Sequence, residues 1–447
     1  MELLDQPCIL LLNLPPSAMG GIDLLSFTTT PRFQGIKGIP PGFHFIFTSP
    51  TTALSVRHGA WFHVGEPSSP SSNFWIKKWD SSREELVSED DQASILRWRA
   101  NIGSIWKGLT PYRQSASGPS NEPQEGIEIS KAWTDLTSYI TPSLLARITG
   151  GPQDHWNLTS VSSASVDVDH IPGLTALESI IQTERELNFV PINLKQTWRE
   201  GATGRERTNG ARDRSWALDD LITRYCADQS ELEILGELQF CFLMVLTLNN
   251  NSCLEQWKRI LSLLCTCRGA VLQRPQLFVN LMTTISLQLK HAQEAEGGLF
   301  NLHEDDGELI RNLLRDFKRG LEQEDGSAKE KIVGAFGELE EFIRTEFGWE
   351  LQHDFVRNGI LELEDGERVE MDIGGDEEAD ELGEYAPMVV ELTPEQVKNL
   401  DSDLSAKPSV PLHLRTGYAT HPNEDEEDQS YDYDIEESDL ENMDSRY

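Results

Sequence analysis

The apolar positions of this chain change period part-way along it. Between residues 8 and 79 they come in short runs, at 8–14, 43–47, 60–64 and 74–79, each bounded by Gly, Pro, Ser or Thr. Runs of this length, rich in aromatic and β-branched residues, predict strands, and the punctuation between them predicts a small antiparallel sheet structure. Pro40-Pro41-Gly42 predicts a type II turn, with Pro at the first central position and Gly supplying positive φ. From residue 91 the spacing becomes three and four. Ile95, Trp98, Ile102, Ile105 and Trp106 make one helical stripe; Trp133, Leu136, Tyr139 and Ile140 make another, which Pro142 kinks or restarts. Residues 111–128, rich in Ser, Gly, Pro and Gln, read as an exposed loop.

The helical period governs residues 216–349. Leu232, Leu235, Leu238, Phe242 and Leu246 mark one helix, and Ser252-Cys253-Leu254-Glu255 has the capping-box form that starts the next. Stripes at 277–289, 309–321 and 332–347 complete a series whose short connections predict an antiparallel bundle or short solenoid. The fold class is therefore α+β. A β-rich amino-terminal domain with flanking helices covers residues 1–195, a Gly/Arg-rich linker 196–215, and an all-α domain 216–350. An acidic, mostly disordered tail fills 351–447.

Charge sharpens this division. The 447 residues carry 75 Asp and Glu against 38 Lys and Arg, a formal net charge of −37. Residues 361–447 alone account for −23 of it. This balance argues against simple electrostatic binding of nucleic acid, which needs surplus cations, and against docking on anionic lipid. The one basic cluster, at 199–215, lacks interleaved aromatics and reads as a solvated linker before a phosphate-binding surface. Residues 424–447 hold 12 acids and one Arg, and such a stretch repels itself and buries too little apolar surface to fold alone. Between acidic stretches lies a strand-former at 386–392. On its residues alone it either packs on the chain's own helices or adds an edge strand to a partner's sheet through Pro387, Met388, Val389, Val390, Glu391 and Leu392.

Chemistry-bearing motifs are missing from the sequence. There is no Gly-x-Ser-x-Gly elbow, His-Glu-x-x-His pair, phosphate-binding Gly-Lys loop or dinucleotide fingerprint. His44 and His63 lie in strand-like runs with no acid at a recognised spacing and read as structural. The six cysteines sit in apolar sequence as reduced thiols, and Cys265-Thr266-Cys267 is too tightly spaced for zinc. The expectation is a non-enzyme without cofactor or metal. With Asp5 and Pro7 early and no long apolar run, neither a signal peptide nor a membrane span is expected.

Three blocks of residues resemble one family. The first is Gly21-Ile22-Asp23 followed by Phe33-Gln34-Gly35-Ile36-Lys37-Gly38-Ile39-Pro40-Pro41-Gly42-Phe43-His44. The second is Leu235-Gly236-Glu237-Leu238-Gln239-Phe240 with Glu255-Gln256-Trp257-Lys258-Arg259-Ile260-Leu261 and Leu263-Leu264-Cys265. The third is Ala386-Pro387-Met388-Val389-Val390-Glu391-Leu392. In this order they resemble the Aar-two family, the a-one cistron splicing factors. The loop at 111–128, the linker and the last 50 or so residues depart from the family pattern.

That resemblance implies a VHS-like helical domain, no catalysis, and a role as assembly chaperone of the U-five small nuclear ribonucleoprotein in pre-mRNA splicing. It implies binding to the RNase-H-like and Jab/MPN-like domains of the large scaffold protein Prp-eight, which keeps a helicase away during cytoplasmic assembly, with nuclear entry following. It also favours strand addition by residues 387–392. The alternative is a general acidic adaptor or histone-type chaperone acting through the tail. Finally, Ser88-Glu89-Asp90-Asp91 and Ser438-Asp439-Leu440-Glu441 resemble acidophilic kinase sites, which makes Ser88 and Ser438 candidate phosphorylation sites.

Overall fold

The computed structural model describes residues 6–51, 55–66, 73–112, 131–163, 186–292, 305–323, 327–351, 358–362 and 368–372. The first apolar run becomes β1 (Cys8–Leu12), buried at every position. A strand that is apolar throughout needs cover on both faces. Ile9 and Leu11 enter one cluster with Ile46, Phe62 and Trp75, while Cys8, Leu10 and Leu12 enter another with Ile102, Trp106 and Leu109. β1 is thus the centre of a layered body.

Ten strands build that body. They are β1, β2 (Met19–Ile22), β3 (Leu25–Thr28), β4 (Gly35–Lys37), β5 (Gly42–Ser49), β6 (His58–Val64), β7 (Phe74–Asp80), β8 (Glu85–Ser88), β9 (Thr110–Pro111) and β10 (Trp156–Thr159). One five-stranded sheet runs β8-β7-β1-β4-β9 and the other β10-β6-β5-β2-β3. The second is antiparallel throughout, as expected. The first departs from expectation: β1 pairs with β7, and β4 with β9, in parallel. Pairings across so much intervening chain leave no local sequence mark. Residues 40–42 also differ from the expected turn. Gly42 does have positive φ, at 131°, but this is far from the type II value of about +80°. The segment is a bend leading directly into β5.

Helix α1 (Gln92–Ile105) covers the outer face of the first sheet, and Asp91 caps it by accepting from Ala93 N and Ser94 N. The outer face of the second sheet presents Phe45, Phe47, Trp61 and Trp156 to the helices. Those are a helical turn at 131–136, α2 (Pro142–Thr149), α3 (Gly204–Arg212), α4 (Ser215–Tyr225), α5 (Leu232–Leu248), α6 (Asn251–Cys265), α7 (Arg268–Gln273), α8 (Pro275–His291), α9 (Asp305–Gln323) and α10 (Ser327–Phe347). Pro142 restarts the helix at its first position, where a missing N–H costs nothing, behind a Thr141 cap. The Gly/Arg-rich stretch 196–215 holds a helix of its own, α3, with a Thr203/Glu206 capping box.

α5 is the axis of the helical layer. Sixteen of its 17 residues are buried, so its expected single stripe is a helix covered on all sides. The α6 cap lies two residues before the expected one. Asn250 accepts from Cys253 N at 2.8 Å, because Asn249 ends α5 with φ of 57° and leaves Asn250 in extended geometry. Ser252 Oγ donates to Ser163 O instead. Residues 1–354 form one compact unit. In the second unit, Phe355–Tyr447, the described residues form an antiparallel ladder of β11 (Asn358–Glu362) and β12 (Arg368–Asp372). In a tail expected to be mostly disordered, this ladder lies where Ile360, Leu361 and Val369 interrupt the acidic sequence.

Candidate interaction site

The first signature block closes on itself in space. Asp23, at φ of 56° in the β2–β3 turn, accepts from Phe45 N through Oδ1 at 2.9 Å. Its Oδ2 lies 2.8 Å from His44 Nδ1 and accepts from the Tyr112 hydroxyl. His44 Nε2 lies 2.9 Å from Pro40 O. The histidine read as lacking an acid therefore has one, 21 residues away and equally buried. His63 packs against the ring of Phe43. The Asp23 cluster serves as a clasp for the start of β5.

The second block forms a polar joint inside apolar packing. Trp61 of β6 stacks between Trp133 and Phe240 of α5. Beside this stack Gly236 brings α5 so close that a Cβ there would lie 2.4 Å from Tyr139 O. Gln239 accepts from Tyr139 N at 2.8 Å and donates to Asp135 O and Ser138 Oγ, which closes the end of the 131–136 turn. Arg147 of α2 bridges two carboxylates of α5, with Nε 2.8 Å from Glu233 and Nη2 2.7 Å from Glu237. Glu237 is fully buried and also accepts from Val190 N and Gln256 Nε2. Burial pushes the Glu237 carboxyl above the ordinary range, and Arg147 and the donors only partly oppose it.

A second anchor lies nearby. Asn250 Nδ2 donates to the carbonyls of Thr159, Ser160 and Ser162, and Arg57 Nη1 donates to Thr247 O. Asn250 therefore caps α6 and ties it to the end of β10. The hydrogen bonds of these groups are ties within the chain. Their work is to fix the β-rich layers and the helices as one surface. All six cysteines are buried and free, and burial pushes the Cys8, Cys226 and Cys265 thiols up to about 12. Among the described residues no group of three His, Cys, Asp or Glu could hold a metal, and no helix is long and apolar enough to cross a membrane.

Two regions of this chain match family models, residues 5–150 as AAR2 N-terminal domain and residues 189–352 as AAR2 C-terminal repeat region. The chain belongs to the AAR2 family. It is 26% identical to the Homo sapiens Protein AAR2 homolog over 312 residues, 63% of this chain and 74% of that protein. The Caenorhabditis elegans homolog is 25% identical over 305 residues, 63% of this chain and 78% of that protein. The Saccharomyces cerevisiae protein named A1 cistron-splicing factor AAR2 is 24% identical over 259 residues, 55% of this chain and 67% of its own.

Of the AAR2-type residues singled out in the sequence, the structure brings together Asp23 with His44 and Glu237 with Gln256. The segment 387–392 and Ser438 lie outside the described residues. Ser88 ends β8, half-buried, where its Oγ accepts from Lys77 Nζ at 2.8 Å. Lys77, itself buried, also donates to Asn157 Oδ1 of β10 and so bridges the two sheets. Sequence reasoning missed Lys77, Arg147 and Asn250. A Lys in an otherwise apolar strand, and Glu and Gln inside the apolar run of α5, were the only signals available.

Proposed function

We propose that this chain is a splicing-related factor that works by binding rather than by catalysis. It acts as an assembly chaperone of the U-five particle, holding the RNase-H-like and Jab/MPN-like domains of Prp-eight and keeping the helicase off until assembly is complete. The observation that carries this reading is the pair of AAR2 matches over residues 5–150 and 189–352. It is supported by the structural roles of the signature residues, which serve as clasp and joint. The partner work then falls to the outer surfaces and to strand addition by residues 387–392. Assembly of this kind places the chain in the cytoplasm, with entry to the nucleus alongside its cargo.

A pull-down of the full chain with the two Prp-eight fragments tests the reading, and no capture at micromolar concentration would sink it. Val389→Pro removes a ladder donor and is expected to weaken capture; unchanged affinity counts against strand addition. Deleting residues 424–447 separates the reading from a general acidic adaptor. The chaperone reading expects little effect, whereas an adaptor loses its binding and shows steep salt dependence.

A further inference from the structure

We infer that the free edge of β8 is a docking site for an extended polypeptide segment carrying Lys or Arg. β8 is the terminal strand of its sheet. Glu89 N–H donates to Ile76 O, and the β7–β8 register continues from there. Antiparallel alternation then directs Val87 and Glu85 towards β7 and aims the N–H and C=O of Leu86 and Ser88 outward. Among the described residues no backbone group meets them on that side. The edge of β10 lies across the same cleft but is closed. Its outward N–H groups are taken locally, Asn157 by His155 O at 3.0 Å and Thr159 by Ser162 Oγ at 2.9 Å.

The cleft between these edges measures about 530 Å³. β8 is a short, acid-flanked edge, a form that discourages pairing with a neutral or acidic strand, while its two outward backbone positions stay open to a cationic one. Glu84, Glu85 and Asp90 line the cleft, and Arg83 is its one Lys or Arg, already paired with Glu85. That acidity favours a basic segment and repels a phosphate backbone. Lys77 holds β8 in place from inside through Ser88 Oγ, so the edge is presented on a braced strand. Strand addition supplies affinity through the main chain, and the carboxylates supply selectivity for cations. The inference stands apart from the splicing reading and from residues 387–392.

The test is fluorescence anisotropy of the full chain with a fluorescein-labelled hexapeptide of alternating Val and Lys. Saturable binding below about 1 mM is expected. Ser88→Pro removes one outward N–H at an edge position that tolerates Pro, and is expected to weaken binding at least about tenfold. Ser88→Ala loses the same hydroxyl but keeps that N–H, so Ser88→Pro is expected to bind at least about tenfold more weakly than Ser88→Ala. The Glu84→Lys/Asp90→Lys chain is expected to lose at least about tenfold without touching the backbone, and it decides the matter if Ser88→Pro fails to fold. The inference is overturned by no saturation, by parent-like binding in either weakened variant, or by equal binding of a Val/Glu hexapeptide. It is also overturned if an oligouridine RNA binds with the same dependence on these residues.

Discussion

Arg147→Ala is the most informative single change in this molecule. The substitution removes the guanidinium that pairs with Glu237, whose side chain is 0% exposed, and also takes one partner from Glu233 and from Asn188 O. Val190 N and Gln256 Nε2 remain as donors, but the buried carboxyl is then left without a counter-charge, so at neutral pH it must carry an uncompensated charge or take up a proton at a cost. Breaking a buried pair in this way costs about 3–5 kcal/mol, well above the roughly 1 kcal/mol of an ordinary surface pair. Urea denaturation followed by tryptophan fluorescence reads the loss directly, since Trp61 and Trp133 sit at the joint. The pH dependence supplies a second readout. Glu237 already has its folded-state pKa raised by burial, so the folded state binds more protons than the unfolded one above the ordinary carboxylate range. Stability then falls as pH rises through that window, and removing Arg147 steepens the fall. The variant should recover relative to the parent as pH drops towards 5. Arg147→Ala/Glu237→Gln, which keeps an acceptor for Val190 N but discards the charge, should regain more than half the loss. A single-variant cost under about 1 kcal/mol, or a double variant no better than the single, refutes the charge argument.

Three further outcomes are expected. Gly236→Ala should destabilise by about 1–3 kcal/mol in a thermal melt, because its methyl would meet Tyr139 O at 2.4 Å and Leu144 Cδ2 at 2.8 Å; a neutral result means α5 can shift. His44→Ala strips one partner from buried Asp23 and should cost about 1–3 kcal/mol in urea denaturation, with Tyr112 and Phe45 N still in place. Thiol labelling at neutral pH should proceed only as fast as the chain opens, since all six cysteines are buried and Cys265 is pushed up to about 12; rapid modification of any one in the folded protein contradicts this.

The parts of the fold that could be read from the sequence are those governed by local period. β1, β5, β6 and β7 announce themselves as apolar runs because each is covered on both faces, and α1 and α6 do so as stripes because only one side is covered. What stayed hidden was set by distance along the chain. The parallel β1–β7 pair joins residues more than 60 apart, and Arg147 meets Glu237 across 90. In α5 the apolar residues are so dense that the periodicity concealed its buried polar residues, Glu233 and Glu237 on one face and Gln239 on another, which do the positioning. The α6 cap was misplaced because Ser252 and Asn250 are equally good caps by composition, and only the left-handed Asn249 selects between them.

The stack of Trp61 between Trp133 and Phe240 has a bearing on how this protein can be dissected. One of its rings comes from a strand of the amino-terminal region and another from the first long helix of the carboxy-terminal region. A fragment cut between the two regions would expose Phe45, Phe47, Trp61 and Trp156 on one piece and strip the cover from α5 on the other. Such pieces would adhere to unrelated proteins or fail to fold. Loss or gain of binding by either half would then report a torn core rather than a mapped interface. Deletions that remove described residues of the two regions would therefore mislead, and surface point substitutions are the proper instrument there.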